Sequence, residues 1–253
     1  MRIFSLEGKN ALIIGGAGDL GFAVTLGYLS AGIEKVAIID RKAFNEKQIK
    51  DLQDWKGRYK VTLADITESE ARKSAFEDSL SFLDWTLDVA FNAAGIQIRE
   101  STLKFPLTDF RKVISSNLEQ VFEFMQLSAN VMMKQKSGRI INISSIMGRL
   151  GGEKIPAYAA SKGGVHQLTR AFCNEVSSFG ITVNSIAPGY FKTALNDALI
   201  GDENRVKKIL ERVPLGRWGT PIEMQGISIF LASEASSYIT GAEITVDGGY
   251  TCT

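Results

Sequence analysis

Gly15-Gly16-Ala17-Gly18-Asp19-Leu20-Gly21 stands directly after Ala11-Leu12-Ile13-Ile14 and directly before Phe22-Ala23-Val24-Thr25-Leu26-Gly27-Tyr28-Leu29. A short apolar run bounded by glycine reads as a buried strand, and the longer apolar stretch after the turn reads as a helix packed against it. Glycines in such a turn permit positive φ and close backbone approach, while the following helix presents unbonded N–H groups to an anion. Gly15, Gly18, Asp19, Leu20 and Gly21 are therefore the expected contacts for a pyrophosphate.

Outward from this unit, further strand-like runs fall at 36–39, 60–63, 88–91, 139–143, 182–187 and 243–246, with helical stretches between most of them. Strands alternating with helices imply right-handed crossovers, and so a parallel sheet covered on both faces. The predicted fold is α/β: one doubly wound, Rossmann-type domain over 1–253, with a central sheet of about seven strands and ligands beyond the strands' carboxyl ends. Apolar spacings of three and four predict two long helices, at 110–132 and 157–179. The irregular excursion 189–220, with a short helix near 196–200 and a charged helix before Pro214, has the form of a lid.

Lys and Arg total 29 against 28 Asp and Glu, a balance without the basic footprint of a nucleic-acid binder, so a small molecule is the expected partner. Cys173 and Cys252 supply neither a disulfide framework nor metal-ligand spacing, and no metal is expected. The first ten residues lack the apolar run of a signal peptide, and no segment approaches the roughly 20 apolar residues that span a bilayer. A cytoplasmic location without membrane attachment is expected.

Asp40 ends the second strand about 20 residues past the glycine turn, where a carboxylate accepts hydrogen bonds from the adenosine ribose. It also repels a 2′-phosphate, which favours NAD over NADP, although Arg41 beside it partly compensates. Asp65 with Ile66 after the third strand, and Asn92, Ala93 and Gly95 after the fourth, extend the expected cofactor edge.

Tyr158 and Lys162 stand four residues apart on a predicted helix and share a face. A phenol near an ammonium ionises more easily; moving it from about 10 toward about 7 takes about 4 kcal/mol, expected from the lysine plus an oxidised nicotinamide. Tyr158 then serves as general base in alcohol oxidation and as acid in the reverse reaction. Ser145, at the carboxyl end of the strand 139–143, is placed to polarise a carbonyl oxygen. It is not read as a nucleophile: no G-x-S-x-G elbow surrounds it, and the sole histidine, His166, on the Tyr158 helix, is read as structural.

Tyr158-Ala-Ala-Ser161-Lys162, Ser145 thirteen residues upstream of the tyrosine, the glycine turn, Asn92-Ala-Ala-Gly95 and Pro188-Gly189 together resemble the short-chain dehydrogenase/reductase family over essentially the whole chain. The resemblance implies that Ser145 holds the substrate oxygen, Tyr158 transfers the proton, and Lys162 binds the nicotinamide ribose and tunes Tyr158. It further implies that Asn117 supports a proton-relay water, and that Pro188, Gly189 and Thr193 hold the nicotinamide carboxamide. Two positions depart from the family's T-G-x-x-x-G-x-G turn: Ile14 replaces the threonine and Asp19 the middle glycine. Asp19 is expected to cap the following helix, yet its carboxylate stands near the pyrophosphate's place. Gly16, Gly18 and Gly21 also restore a G-x-G-x-x-G spacing, which allows another loop path.

Within the family, Ala94-Gly95-Ile96-Gln97, the stretch 187–193 and Gly216-Arg217-Trp218-Gly219 resemble gluconate 5-dehydrogenase and related keto sugar-acid dehydrogenases. A sugar acid needs a cation for its carboxylate, and Arg99, Arg149 and Lys192 follow strand ends; each also reads as a solvated loop charge. The expected activity is interconversion of a secondary alcohol and a ketone. The alternatives are a 3-oxoacyl-carrier-protein reductase, against which Asp40 argues, and a cofactor-binding scaffold without turnover, against which the intact catalytic set argues. The two long helices and the C-terminal Val246-Asp247-Gly248-Gly249 resemble the family's subunit-packing surfaces, so a homotetramer is expected, with a dimer as the alternative.

Overall fold

A computed structural model describes residues 2–252. Seven strands form one parallel sheet in the order β3-β2-β1-β4-β5-β6-β7: β1 (Asn10–Ile14), β2 (Lys35–Asp40), β3 (Tyr59–Leu63), β4 (Val89–Asn92), β5 (Gly138–Ile143), β6 (Ile181–Pro188) and β7 (Glu243–Val246). Alternation along the strands builds two cores. Ala11 and Ile13 face a layer made by α1 (Asp19–Ser30) and α10 (Met224–Ala232), whereas Leu12 and Ile14 face α3 (Ser69–Phe82), α5 (Gln120–Gln135) and α7 (Pro156–Val176). With both faces covered, β1, β4, β5 and β6 are buried along their length, which is why they read as continuous apolar runs.

From β1 the chain winds through β2 to β3 on one side, then returns to place β4 on the other side of β1. This reversal opens a crevice beyond the carboxyl ends of β1 and β4, the place where open α/β sheets bind ligands.

The helix expected at 110–132 is interrupted. It runs as α4 (Leu107–Ile114), a π-helical turn at Ser115–Glu119, then α5. The second expected helix starts one residue early, at Pro156, whose fixed φ and missing N–H suit a first-turn position, and tightens to 3₁₀ after Val176. The remaining segments are α2 (Glu46–Asp51), α6 (Met147–Leu150), α8 (Asp197–Ile200) and α9 (Glu203–Leu210). The last two form the 189–220 excursion, closed at its base by Gly219, whose N–H donates to Tyr190 O at 2.9 Å. Leu199, Ile209 and Val213 from this excursion pack with Trp218 and Tyr250 in a small separate core.

Among the described residues no helix is long and apolar enough to cross a membrane, and no group of three His, Cys, Asp or Glu side chains is disposed to hold a metal ion.

Candidate active site

The glycine turn is built around contacts that no larger residue allows. Gly15 has φ 83°, and a Cβ there would stand 2.6 Å from the backbone of Ala94, at the end of β4. A Cβ on Gly21 would lie 2.2 Å from Gly15 O. The turn is therefore pressed against both its own helix and the neighbouring strand end, leaving the first amides of α1 facing the crevice. The crevice has a volume of about 390 Å³, and Gly15, Gly18, Asp19, Leu20, Gly21, Asp40, Arg41, Asp65, Ile66, Ala93, Gly95 and Thr193 all line it.

Asp40 ties β2 to the turn, accepting from Ala17 N and Lys42 N, each at 3.0 Å. Asp65 accepts from Thr67 N at 3.0 Å and Thr67 Oγ1 at 2.7 Å; these bonds, the amide first, hold its carboxyl below the ordinary range. Two expectations change here. Asp19 does not cap α1: the N-cap is Gly18, without a side-chain cap, and Asp19 Oδ2 instead accepts from Ala194 N at 2.7 Å, at the start of the 189–220 excursion. Asn92 turns away from the crevice, because strand alternation sends its side chain into the α5/α7 layer, where Nδ2 donates to Asn142 Oδ1 at 2.7 Å.

On the opposite wall, Tyr158 and Lys162 share the sheet-facing side of α7, both buried. Lys162 Nζ donates to Ile143 O, at the end of β5, at 2.7 Å, and lies 5.9 Å from the Tyr158 ring centroid. Burial pulls its pKa down to about 8. For Tyr158 the expected depression is reversed in the protein alone. Burial pushes the phenol above its ordinary pKa, opposed by the Ser145 hydroxyl and then by the cation of Arg99. Ser145 begins the turn into α6, its Oγ accepting from Met147 N at 3.1 Å. α6 lies so close to α7 that a Cβ on Gly148 would stand 2.8 Å from Gly163 N.

Asn117 sits on the π turn, fully buried. Its Oδ1 accepts from Ile96 N at 2.8 Å, and Nδ2 donates to Ile96 O at 2.9 Å and to Ser161 Oγ at 3.2 Å. Both amide hydrogens are thus spent on clamping the loop after β4 to α7. The widened turn is what lets Asn117 reach both elements, in keeping with π turns at functional sites.

The crevice and the wall carrying Tyr158 meet in a second cavity of about 140 Å³, lined by Ser145, Tyr158, Lys162, Pro188, Gly189 and Thr193 together with Gln97, Arg99, Tyr190 and Arg205. Leu20, Ala93, Gly95, Thr193 and Leu195 line both spaces, so the two are continuous. Of the three cations expected for a substrate carboxylate, only Arg99 lines this cavity. Arg149 is paired through Nε with Glu243, a buried carboxylate that also has His166 Nδ1 at 3.1 Å and accepts from Ser144 Oγ at 2.8 Å. Lys192 is exposed on the neck of the excursion, where its N–H donates to Gly219 O at 2.9 Å.

A family model described as Enoyl-(Acyl carrier protein) reductase matches residues 16–251. The chain belongs to the short-chain dehydrogenase/reductase family. It is 38% identical, over 98% of its length and 96% of the relative, to 2-dehydro-3-deoxy-D-gluconate 5-dehydrogenase of Bacillus subtilis. It is also 38% identical to 5-keto-D-gluconate 5-reductase of Escherichia coli, over 98% of this chain and 97% of that one. Among solved structures, gluconate 5-dehydrogenase from Burkholderia cenocepacia, in complex with NADP and tartrate, superposes with a TM-score of 0.92 at 34% identity, covering 100% of this chain and 98% of that one. The protein is accordingly a short-chain NAD(P)-dependent dehydrogenase/reductase.

Several residues lining this dehydrogenase's cavities were given no binding role from the sequence: Lys42, Thr67 and Ser116 in the crevice, and Gln97, Tyr190 and Arg205 in the second cavity. Lys42 and Thr67 follow Asp40 and Asp65 within two residues, a signal that was available. Arg205 is one cation among several on a charged helix, and only its position over the cavity distinguishes it.

Proposed function

We propose that the protein interconverts a ketone and a secondary alcohol on a sugar acid, taking NAD in preference to NADP. The carrying observation is the continuity of the two spaces: a crevice able to seat a dinucleotide opens into a small cavity with Tyr158 and Ser145 on one side and Arg99 on another. The residues present fit the cofactor. The turn is a cradle that a Cβ would fill, α1 offers its N-terminus, and Asp40 stands at the ribose end.

The bound nicotinamide supplies the hydride in reduction and takes it in oxidation. Ser145 donates its hydroxyl hydrogen bond to the substrate oxygen and holds it against Tyr158. In reduction the Tyr158 phenol gives its proton to that oxygen as charge develops there, and in oxidation the phenolate takes it back. Lys162, fixed by Ile143 O, holds the nicotinamide ribose and stabilises the phenolate. Asn117 keeps the loop after β4 in register, and the main chain of its π turn holds the relay water. Pro188, Gly189 and Thr193 hold the carboxamide, and Arg99 pairs with the substrate carboxylate. Residues 189–220 act as the lid. Asp40 accepts from the ribose hydroxyls and repels a 2′-phosphate, a preference moderated by Arg41 and Lys42 beside it. The chain is assigned to the cytoplasm and to a homotetramer, whose packing surface includes the partly exposed Phe122–Phe172 pair of α5 and α7.

Fluorescence titration with NADH and NADPH, followed by turnover of gluconate, 5-keto-D-gluconate, 2-dehydro-3-deoxy-D-gluconate and acetoacetyl thioesters, tests this reading. Tighter NADH binding with sugar-acid turnover is expected, and Tyr158→Phe should lower turnover about 10³-fold with cofactor affinity retained. NADPH preference with thioester reduction overturns it.

A further inference from the structure

Two arginines enter the substrate cavity from different elements. Arg99 comes from the loop after β4, and Arg205 from the first turn of α9 in the lid. Both are half-buried. They lie within electrostatic reach of each other: the charge on Arg99 is opposed first by burial and second by the cation of Arg205, while no carboxylate is among the groups that act on it. None of the ion pairs among the described residues engages either guanidinium. Glu153, the acidic residue on this cavity's wall, stays on its exposed side and pairs with neither.

The two buried arginines, by contrast, are matched: Arg72 pairs with Glu123 and Arg139 with Glu234. Two like charges turned into one small cavity are unfavourable unless an anion joins them. A carboxylate offers two oxygens, and planar guanidinium groups approaching from two sides satisfy both.

We infer that Arg205 is a second, lid-borne ligand for the substrate carboxylate, opposite Arg99. This rests on the sugar-acid reading given above. Asp202 caps α9, its Oδ1 accepting from Arg205 N at 3.1 Å, and Ile209 anchors the helix in the apolar core beneath the lid. The guanidinium position is therefore coupled to the position of α9 as a whole. A substrate carboxylate held by Arg205 draws the lid over the cavity, so acids are selected over neutral ketones of the same size in the step that closes the site.

The test compares kcat/KM for 5-keto-D-gluconate and for the neutral 5-dehydro-D-fructose in the wild-type holoenzyme, Arg205→Ala and Arg205→Lys, with NADH affinity followed by fluorescence. Arg205→Ala is expected to lose roughly 10- to 100-fold on the acid, the range for a charge-assisted hydrogen bond, with less than about a threefold change on the neutral ketone. Arg205→Lys should recover part of the loss on the acid, and NADH affinity should stay at the wild-type value. An equal loss on both substrates, or none on the acid, overturns the role of Arg205 while leaving the sugar-acid reading intact. Wild-type turnover of the neutral ketone with none on either sugar acid named by the relatives overturns both.

Discussion

Replacing Lys162 by methionine should abolish turnover and, in the absence of cofactor, change how stability depends on pH. The Lys162 ammonium is buried, with Ile143 O at 2.7 Å as its hydrogen-bond partner, and its pKa falls from 10.5 to about 8. At 1.36 kcal/mol per pH unit, holding the charge inside costs about 3 kcal/mol at neutral pH. In the unfolded chain the lysine keeps its proton to about 10.4, whereas in the folded protein it gives it up near 8. Between those values the unfolded state binds more protons, so wild-type stability gains from this group as pH rises. Below pH 8 the penalty is present in full. Lys162→Met removes it together with a charged hydrogen bond of about 1.5–3 kcal/mol, so the variant should be about as stable as wild type at pH 7. Urea unfolding of both proteins at pH 7, 8, 9 and 10, at one protein concentration, gives the stability difference at each pH, and other titrating groups cancel in it. That difference should move in favour of wild type by about 2–3 kcal/mol from pH 7 to pH 10. A difference that stays flat across this range would refute the buried, depressed lysine.

Gly21→Ala places a Cβ 2.2 Å from Gly15 O, and backbone on both sides must move. A stability loss of about 1–3 kcal/mol is expected in urea unfolding, with NADH affinity reduced at least tenfold in fluorescence titration. Unchanged affinity would mean that the turn does not hold the cofactor. Asp19→Gly removes a carboxylate from the crevice wall and the bond to Ala194 N. NADH should then bind about tenfold more tightly, equivalent to about 1.4 kcal/mol, while limited proteolysis within 189–220 accelerates; weaker NADH binding would show that the carboxylate supports the site instead.

Features carried by local pattern were legible in the sequence. The apolar run 11–14, the glycine turn and the helix after it needed only the period of their own side chains, and the same holds for the other strands, whose boundaries shift by a residue or so at most. The Tyr158–Lys162 pair shares one helix face by its spacing alone, so the face did not depend on the rest of the fold. The π turn at Ser115–Glu119 had no such signal, since its residues continue the helical pattern on both sides and only the approach of Ile96 to Asn117 accounts for the widening's use.

What the chain order determined by itself is the doubly wound sheet, the crevice at its switch point and the wall carrying Tyr158 and Lys162, because each follows from short-range periodicity and from the handedness of crossovers. Tertiary structure alone decided which polar groups face the site. Asn92 is claimed by Asn142, Arg149 by buried Glu243, and Asp19 by the amide of Ala194 in the 189–220 excursion. Each of these partners lies 50 or more residues away in the chain. A long, charged or polar side chain takes its direction from whichever distant element brings it a matching group, and Arg205 reaches the cavity only because Leu199, Ile209 and Val213 of the 189–220 excursion pack down upon Ile146 and Tyr250.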